Sequence, residues 1–92
     1  MSIQWLFDVI ESRRENPSDK SYTSSLFSEG LPKIAQKVGE EGTEVVVAAL
    51  AQDDQRLIEE IADLTYHTLV LLAVRGLKIQ DVLAELEKRH AR

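Results

Sequence analysis

Apolar residues recur along this chain at helical spacing, and no segment shows the strict alternation of a half-buried strand. Ile3, Leu6, Phe7 and Ile10 stand at i, i+3, i+4 and i+7, the single stripe of a helix over about residues 3 to 15. Asn16-Pro17-Ser18-Asp19 is turn chemistry, and Ser21-Tyr22-Thr23-Ser24-Ser25 is rich in hydroxyls. Residues 16 to 31 therefore predict an ordered loop or short helical turn, the segment expected to contact a ligand. Gly30-Leu31-Pro32 restarts a helix, because proline's missing N–H costs nothing near the first helical position, and this second helix is expected to reach about Ala51. Asp53-Asp54 offers an N-cap for a third helix from about Gln55 to Arg75-Gly76, with glycine the expected residue just past its end. The last segment sets Ile79, Val82, Leu83 and Leu86 on one face and closes with Lys88, Arg89, His90 and Arg92, cations suited to a helix C-terminus. With no repeat, low-complexity tract or linker, the pattern describes one all-α domain over residues 1–92, with four to five helices.

Two of these apolar seams are interrupted by acids. The second helix reads Ile34, Val38, Glu41, Val45, Ala48, and the third reads Leu57, Glu60, Leu64, His67, Leu71, each in steps of three and four. Glu44 follows Glu41 by three residues, and Asp63 follows Glu60 by three, each rotated by about 60° onto nearly the same face. A short connection makes the two helices antiparallel neighbours, so four carboxylates are expected to converge. Burying unpaired charge costs several kcal/mol per ion, so a cation is implied. Lys37, one turn before Glu41, neutralises at most one of the four. Oxygen ligands alone select a hard ion, Mg²⁺ with Mn²⁺ as a substitute, and Mg²⁺ commonly shares its shell with substrate phosphates. The competing reading leaves these acids solvated or paired with Lys37. Gly39 and Gly42 bracket the acidic pair at roughly 1 kcal/mol each relative to Ala, which close approach of a ligand or of a neighbouring helix would explain. His67 and Tyr66 read as core residues bonded to a neighbour.

Composition narrows the chemistry. Sixteen Asp and Glu against eleven Lys and Arg leave a net charge of −5, which argues against nucleic acid or an anionic membrane as partner. The absence of cysteine removes disulfides, thiolate zinc sites and thiol nucleophiles. The first residues, Met1-Ser2-Ile3-Gln4-Trp5, lack a basic segment followed by an apolar run, and the longest apolar run, Leu69 to Val74, is too short to span a bilayer; a cytoplasmic protein is expected. Beside their seams the long helices carry further apolar residues: Val46, Val47 and Leu50 on one, Ile58, Ile61, Leu69 and Leu72 on the other. A chain of 92 residues cannot cover all of these. A two-fold homodimer, whose long helices form a four-helix bundle, is the expected solution.

The acidic pattern resembles a known signature. Glu40-Glu41-x-x-Glu44, followed after 15 residues by Glu60-x-x-Asp63, is similar to the Mg²⁺-binding motif of the MazG-like all-α nucleoside triphosphate pyrophosphohydrolases. A narrower resemblance covers about Leu6 to Leu86. Ser21-Tyr22-Thr23-x-x-Leu26-Phe27-x-x-Gly30, Lys37-Val38-Gly39-Glu40-Glu41-x-x-Glu44-Val45, Asp63-Leu64-x-Tyr66-His67 and Arg75-Gly76-Leu77 look like the phosphoribosyl-ATP pyrophosphohydrolase family of histidine biosynthesis. Gly42 departs from the alanine or serine more often expected there, without removing a ligand. The resemblance implies hydrolysis of phosphoribosyl-ATP between its α and β phosphates, with Glu41, Glu44, Glu60 and Asp63 as metal ligands. It implies catalytic roles for Glu40, Glu41 and Glu44, Glu40 serving either a second metal or the attacking water. Lys37, Ser21, Tyr22 and Thr23 become the substrate-binding residues, and the homodimer is implied again. Two other functions compete: a housecleaning enzyme acting on other (deoxy)nucleoside triphosphates, and a non-catalytic helical dimerisation module.

Overall fold

The computed structural model describes residues 1–91, and among these residues every regular element is helical. Five helices follow one another: α1 (Ile3–Glu15), α2 (Tyr22–Glu29), α3 (Leu31–Ala51), α4 (Asp54–Val74) and α5 (Ile79–His90). Four lie where the apolar periodicity puts them. The hydroxyl-rich segment becomes a full eight-residue helix, although serine and threonine are weak helix formers. Tertiary anchoring decides its state. Leu26 is 1% exposed in the core, Ser21 Oγ accepts from the Ser24 amide at 3.1 Å as an N-cap, and Gly30 ends the helix at φ 89°. Ser24 Oγ ties the preceding turn in place, donating to the Arg13 carbonyl at 3.2 Å and accepting from the Ser18 amide at 3.1 Å. Gly30 also opens α3, and its positive φ is the reason a glycine stands between the two helices.

Two residues, Gln52 and Asp53, join α3 to α4, so the long helices fold back as an antiparallel hairpin. Asp53 accepts from the Arg56 amide at 2.8 Å. Asp53→Ala is expected to lower stability by about 1 kcal/mol, the usual worth of such a cap, read as a shift in the urea midpoint with unchanged slope. At its other end α4 closes as a Schellman turn: the Leu77 amide bonds to the Leu72 carbonyl, and the amide of Gly76, at φ 73°, bonds to the Ala73 carbonyl. The Arg14 guanidinium also donates to the Ala73 carbonyl at 2.7 Å, fixing α1 to the end of α4.

Phe7 and Ile10 of α1, Leu26 of α2, Ile34 of α3, Leu69, Val70 and Ala73 of α4, and Ile79 form one buried cluster. Burying a side chain of the larger kinds contributes about 1.5–3 kcal/mol. The cluster lies at one end of the hairpin, around the start of α3 and the end of α4. Toward the hairpin turn, by contrast, Val46, Val47, Leu50, Ile58 and Ile61 are 42–83% exposed. The sequence places Leu69 and Leu72 on that uncovered face, but Leu69 is buried and Leu72 packs against the core, because Phe7 and Ile10 of α1 and Ile79 at the start of α5 join the cluster at this end of α4. Helix α5 keeps Ile79 inside while Val82, Leu83 and Leu86 stay 42–55% exposed, so its apolar stripe is likewise uncovered. None of the described helices is long and apolar enough to cross a membrane.

Candidate metal and phosphate site

The hairpin brings the two interrupted seams face to face. Ile34 and Ala48 of the α3 stripe are buried with Glu41 partly so, and across from them Glu60 and His67 are 6% and 5% exposed. One carboxylate oxygen each from Glu41, Glu60 and Asp63 lies within 4.8 Å of the others. Mg–O bonds are about 2.0–2.1 Å, so opposite ligands of one ion stand roughly 4 Å apart, and these three oxygens suit one hard cation. The fourth expected member, Glu44, lies outside that set. One turn closer to the connection and exposed, it adds its negative field to Arg56 instead. Three of the four carboxylates thus converge.

Two of the three are held by cations of their own helix. Lys37 Nζ stands 3.4 Å from Glu41 and 3.9 Å from Glu40. Burial works against the Lys37 charge, but the hydrogen bond to Glu41 and the fields of Tyr22, Glu41 and Glu40 outweigh it, so its pKa is raised and it stays an ammonium. Arg56 Nη2 donates to Glu60 at 2.7 Å and Nη1 to Glu59 at 2.7 Å. The Glu59 bond above all, and then the charge of Glu60, raise its pKa. Sequence reasoning found Lys37 and missed Arg56, although the same signal, a cation four residues before a seam glutamate, marks both. Glu40, exposed and 3.9 Å from the same Lys37 ammonium, accepts from Gln36 at 2.6 Å. That bond, opposed by slight burial and helped by Lys37 and Lys33, lowers its pKa, so it is a carboxylate throughout the neutral range.

Helix α2 is tied to α4 beside this cluster. His67 Nδ1 lies 2.7 Å from the carbonyl of Asp63, which can only accept, so Nδ1 carries the proton. In the neutral ring Nε2 is then an acceptor, and the Tyr22 hydroxyl donates to it at 3.1 Å. Tyr66 bonds Thr23 Oγ1, and its ring meets that of His67 edge-on at 4.9 Å. Burial raises the Tyr66 pKa, more than the Thr23 bond lowers it, and keeps the phenol protonated. His67 and Tyr66 are therefore core residues with bonded neighbours, as expected, and the bonds they make position Tyr22 and Thr23. The two sequence-flagged glycines have a different outcome. A Cβ at Gly39 or Gly42 would meet no atom of another described element within 4 Å, so packing within one chain does not require them.

Of the residues expected to bind substrate, Lys37 borders the acidic trio, and Tyr22 and Thr23 reach α4 through their hydroxyls. Ser21 caps α2 through its oxygen and keeps its own proton free. The arrangement combines a hard-cation cradle, a flanking ammonium and a hydroxyl-bearing helix start, a set of groups fitted to a metal-bound polyphosphate.

Comparison with known proteins agrees with this chemistry. The profile of the family described as "Phosphoribosyl-ATP pyrophosphohydrolase" matches residues 4–90. A protein of Clostridium botulinum named phosphoribosyl-ATP pyrophosphatase is 50% identical over 90 residues, covering 98% of this chain and 82% of its own. Proteins of the same name from Lacticaseibacillus casei, 50% identical over 99% of this chain and 83% of theirs, and Pyrobaculum calidifontis, 51% identical over 95% and 93%, are similar to it as well. Matched over almost its whole length by one family and by relatives at half identity, this chain belongs to the phosphoribosyl-ATP pyrophosphohydrolase family.

Proposed function

We propose that this chain hydrolyses phosphoribosyl-ATP to phosphoribosyl-AMP and pyrophosphate, the second step of histidine biosynthesis, as a cytoplasmic homodimer that requires Mg²⁺. The observation that carries this reading is the meeting of Glu41, Glu60 and Asp63 within 4.8 Å in a chain of this family. One water adds across the phosphoanhydride bond between the α and β phosphates: its oxygen joins one phosphorus, the bridging P–O bond breaks, and a proton is released. Glu41, Glu60 and Asp63 would hold the cation, and Glu44, one turn further along α3 and outside the converging trio, would reach it only through a change of side-chain rotamer. Bound there, Mg²⁺ supplies neutralisation of the triphosphate and of charge on the departing pyrophosphate.

The protein's own groups do the rest. Glu40, ionised and facing solvent, is suited to accept a hydrogen bond from the attacking water and orient it. Lys37 is a point charge for a phosphate oxygen. Ser21, whose oxygen caps α2, keeps its proton for a phosphate, and Thr23 is held beside it by its bond to Tyr66; Tyr22, whose proton goes to His67, keeps its lone pairs for a substrate hydroxyl. Lys37→Ala is expected to raise KM with little change in kcat, because a contact made equally in ground and transition states is uniform binding. Loss of kcat alone would place the lysine on the transition state instead.

The uncovered faces of α3, α4 and α5 support the homodimer, since a second copy offers the same apolar stripes. Pyrophosphate release, measured with phosphoribosyl-ATP against dUTP, dCTP and ATP in the presence of Mg²⁺, tests the function. Preference for phosphoribosyl-ATP is expected. Preference for a deoxynucleotide would make the chain a housecleaning enzyme, and no release from any of them would leave a dimerisation module.

A further inference from the structure

A second feature shares Thr23 with the contacts that tie α2 to α4. Val9 and Arg13 of α1, Ser18 and Lys20 of the following turn, and Ser21 and Thr23 at the start of α2 line an open hollow of about 330 Å³. Neither Arg13 nor Lys20 has a carboxylate or hydrogen-bond partner for its charged group among the described residues, although the chain carries five more acids than bases. Lys37, Arg56, Lys78 and Arg89 are all paired. Asp19, the acid between Ser18 and Lys20, lines the adjoining hollow with Pro17, Ser25 and Ser28. The hollow is thus walled by two unpaired cations and three hydroxyl residues, with no carboxylate in its lining.

Its position relates it to the acidic trio. Thr23, on its wall, bonds Tyr66, and Tyr66 stands three residues, about 4.5 Å along α4, after Asp63. One tyrosine side chain and three helical residues separate the two features, a span suited to the two ends of one extended ligand. Their charges are opposite. The trio takes an anion only through a metal, whereas the hollow matches a bare phosphate dianion with one guanidinium and one ammonium.

We infer that the hollow formed by Arg13, Lys20, Ser18, Ser21 and Thr23 binds the phosphate monoester of the substrate's phosphoribosyl arm and is what separates this substrate from nucleoside triphosphates that lack the arm. The inference rests on the function proposed above and adds to it the place where the second anionic end is held. The triphosphate engages the metal cradle and Lys37. The monoester, at the opposite end of the purine, engages Arg13 and Lys20, and the Ser21 proton completes its hydrogen bonds. The positive end of the α2 dipole adds to the same field.

The test uses the product. Phosphoribosyl-AMP retains the arm and AMP lacks it, and both are titrated by calorimetry into metal-free protein, wild type and Arg13→Ala/Lys20→Ala. Both substituted side chains are exposed and unbonded, so the fold is retained; circular dichroism and the single variants check this. The wild type is expected to bind phosphoribosyl-AMP more tightly than AMP. The double variant is expected to lose at least about tenfold for phosphoribosyl-AMP while AMP stays within about twofold, a loss that one charge-assisted contact suffices to produce. Arg13→Lys should recover part of it, and the KM for phosphoribosyl-ATP should rise in parallel with no matching change in the inhibition constant of ATP. Equal weakening of AMP and phosphoribosyl-AMP would reduce the two residues to a general electrostatic effect and overturn the inference, as would unchanged binding of both or a wild type that does not distinguish them. Failure of the wild type to hydrolyse phosphoribosyl-ATP would instead sink the proposed function, so the two failures are told apart.

Discussion

Asp63→Asn and Glu60→Gln are each expected to lower turnover by at least about 10²-fold and to weaken Mg²⁺ or Mn²⁺ binding. Both changes keep the size and shape of the side chain and remove its charge, and losing one preorganised electrostatic partner of a reacting phosphate removes a term of several kcal/mol. The folds should survive. Asp63 is exposed, and the contact it makes through His67 uses its main-chain carbonyl, which the substitution leaves in place. Glu60 is buried, but its loss leaves Arg56 bonded to Glu59 at 2.7 Å, so no charge is stranded in the interior. Glu59→Gln is the matched control: it removes a carboxylate from the same arginine without touching the trio, and metal affinity should stay at the wild-type level. Pyrophosphate release and metal calorimetry together decide the matter. If neither Asp63→Asn nor Glu60→Gln changes either quantity, the trio does not hold the catalytic cation.

Placing charge on the uncovered hairpin face is expected to have an equally large effect, this time on assembly. Val46, Val47, Leu50, Ile58 and Ile61 are 42–83% exposed, and Val82, Leu83 and Leu86 on α5 are 42–55% exposed. Soluble monomers rarely leave surfaces this apolar uncovered, which supports the proposed homodimer. Light scattering at micromolar concentration should therefore report about twice the mass of one chain. Val47→Glu combined with Ile61→Glu should abolish the dimer, because each copy would bury two charges opposite apolar residues at several kcal/mol apiece. With the core cluster confined to the other end of the hairpin, the separated chains should unfold at markedly lower urea or aggregate. Leu72, although equally apolar in the sequence, is a poor place for this test, since its side chain packs inward. A stable, active monomer carrying wild-type residues would show that one chain tolerates these faces in water.

Much of the molecule is legible in the order of its residues. The periodicity of the apolar positions, the Asp53 cap, and the glycines at positions 30 and 76 locate the ends of the long helices to within a residue or two, because these signals act over one turn of chain. The acids at seam positions mark the site for the same reason: i, i+3 and i+4 neighbours share a face whatever the rest of the fold does. The hydroxyl-rich segment carries no such local signal. Its local propensity favours a turn, and only the insertion of Leu26 into a core made by α1, α3 and α4 turns it into a helix.

Helix spacing alone determined that Glu41, Glu44, Glu60 and Asp63 belong to facing stripes of one all-α domain, and the family motif around them came with it. Which of them meet was decided by the tertiary structure. The rotation of the antiparallel pair brings three oxygens within 4.8 Å and leaves Glu44 toward Arg56, a matter of interhelical angle that no one-helix pattern encodes. The same holds for contacts spanning the chain. Tyr22 with His67 and Thr23 with Tyr66 lie 45 and 43 residues apart, and the hollow of Arg13 and Lys20 exists only because α1, its turn and α2 are folded against one another. Local rules bind residues within a turn; distances between elements are set by packing, which the chain reaches only as a whole.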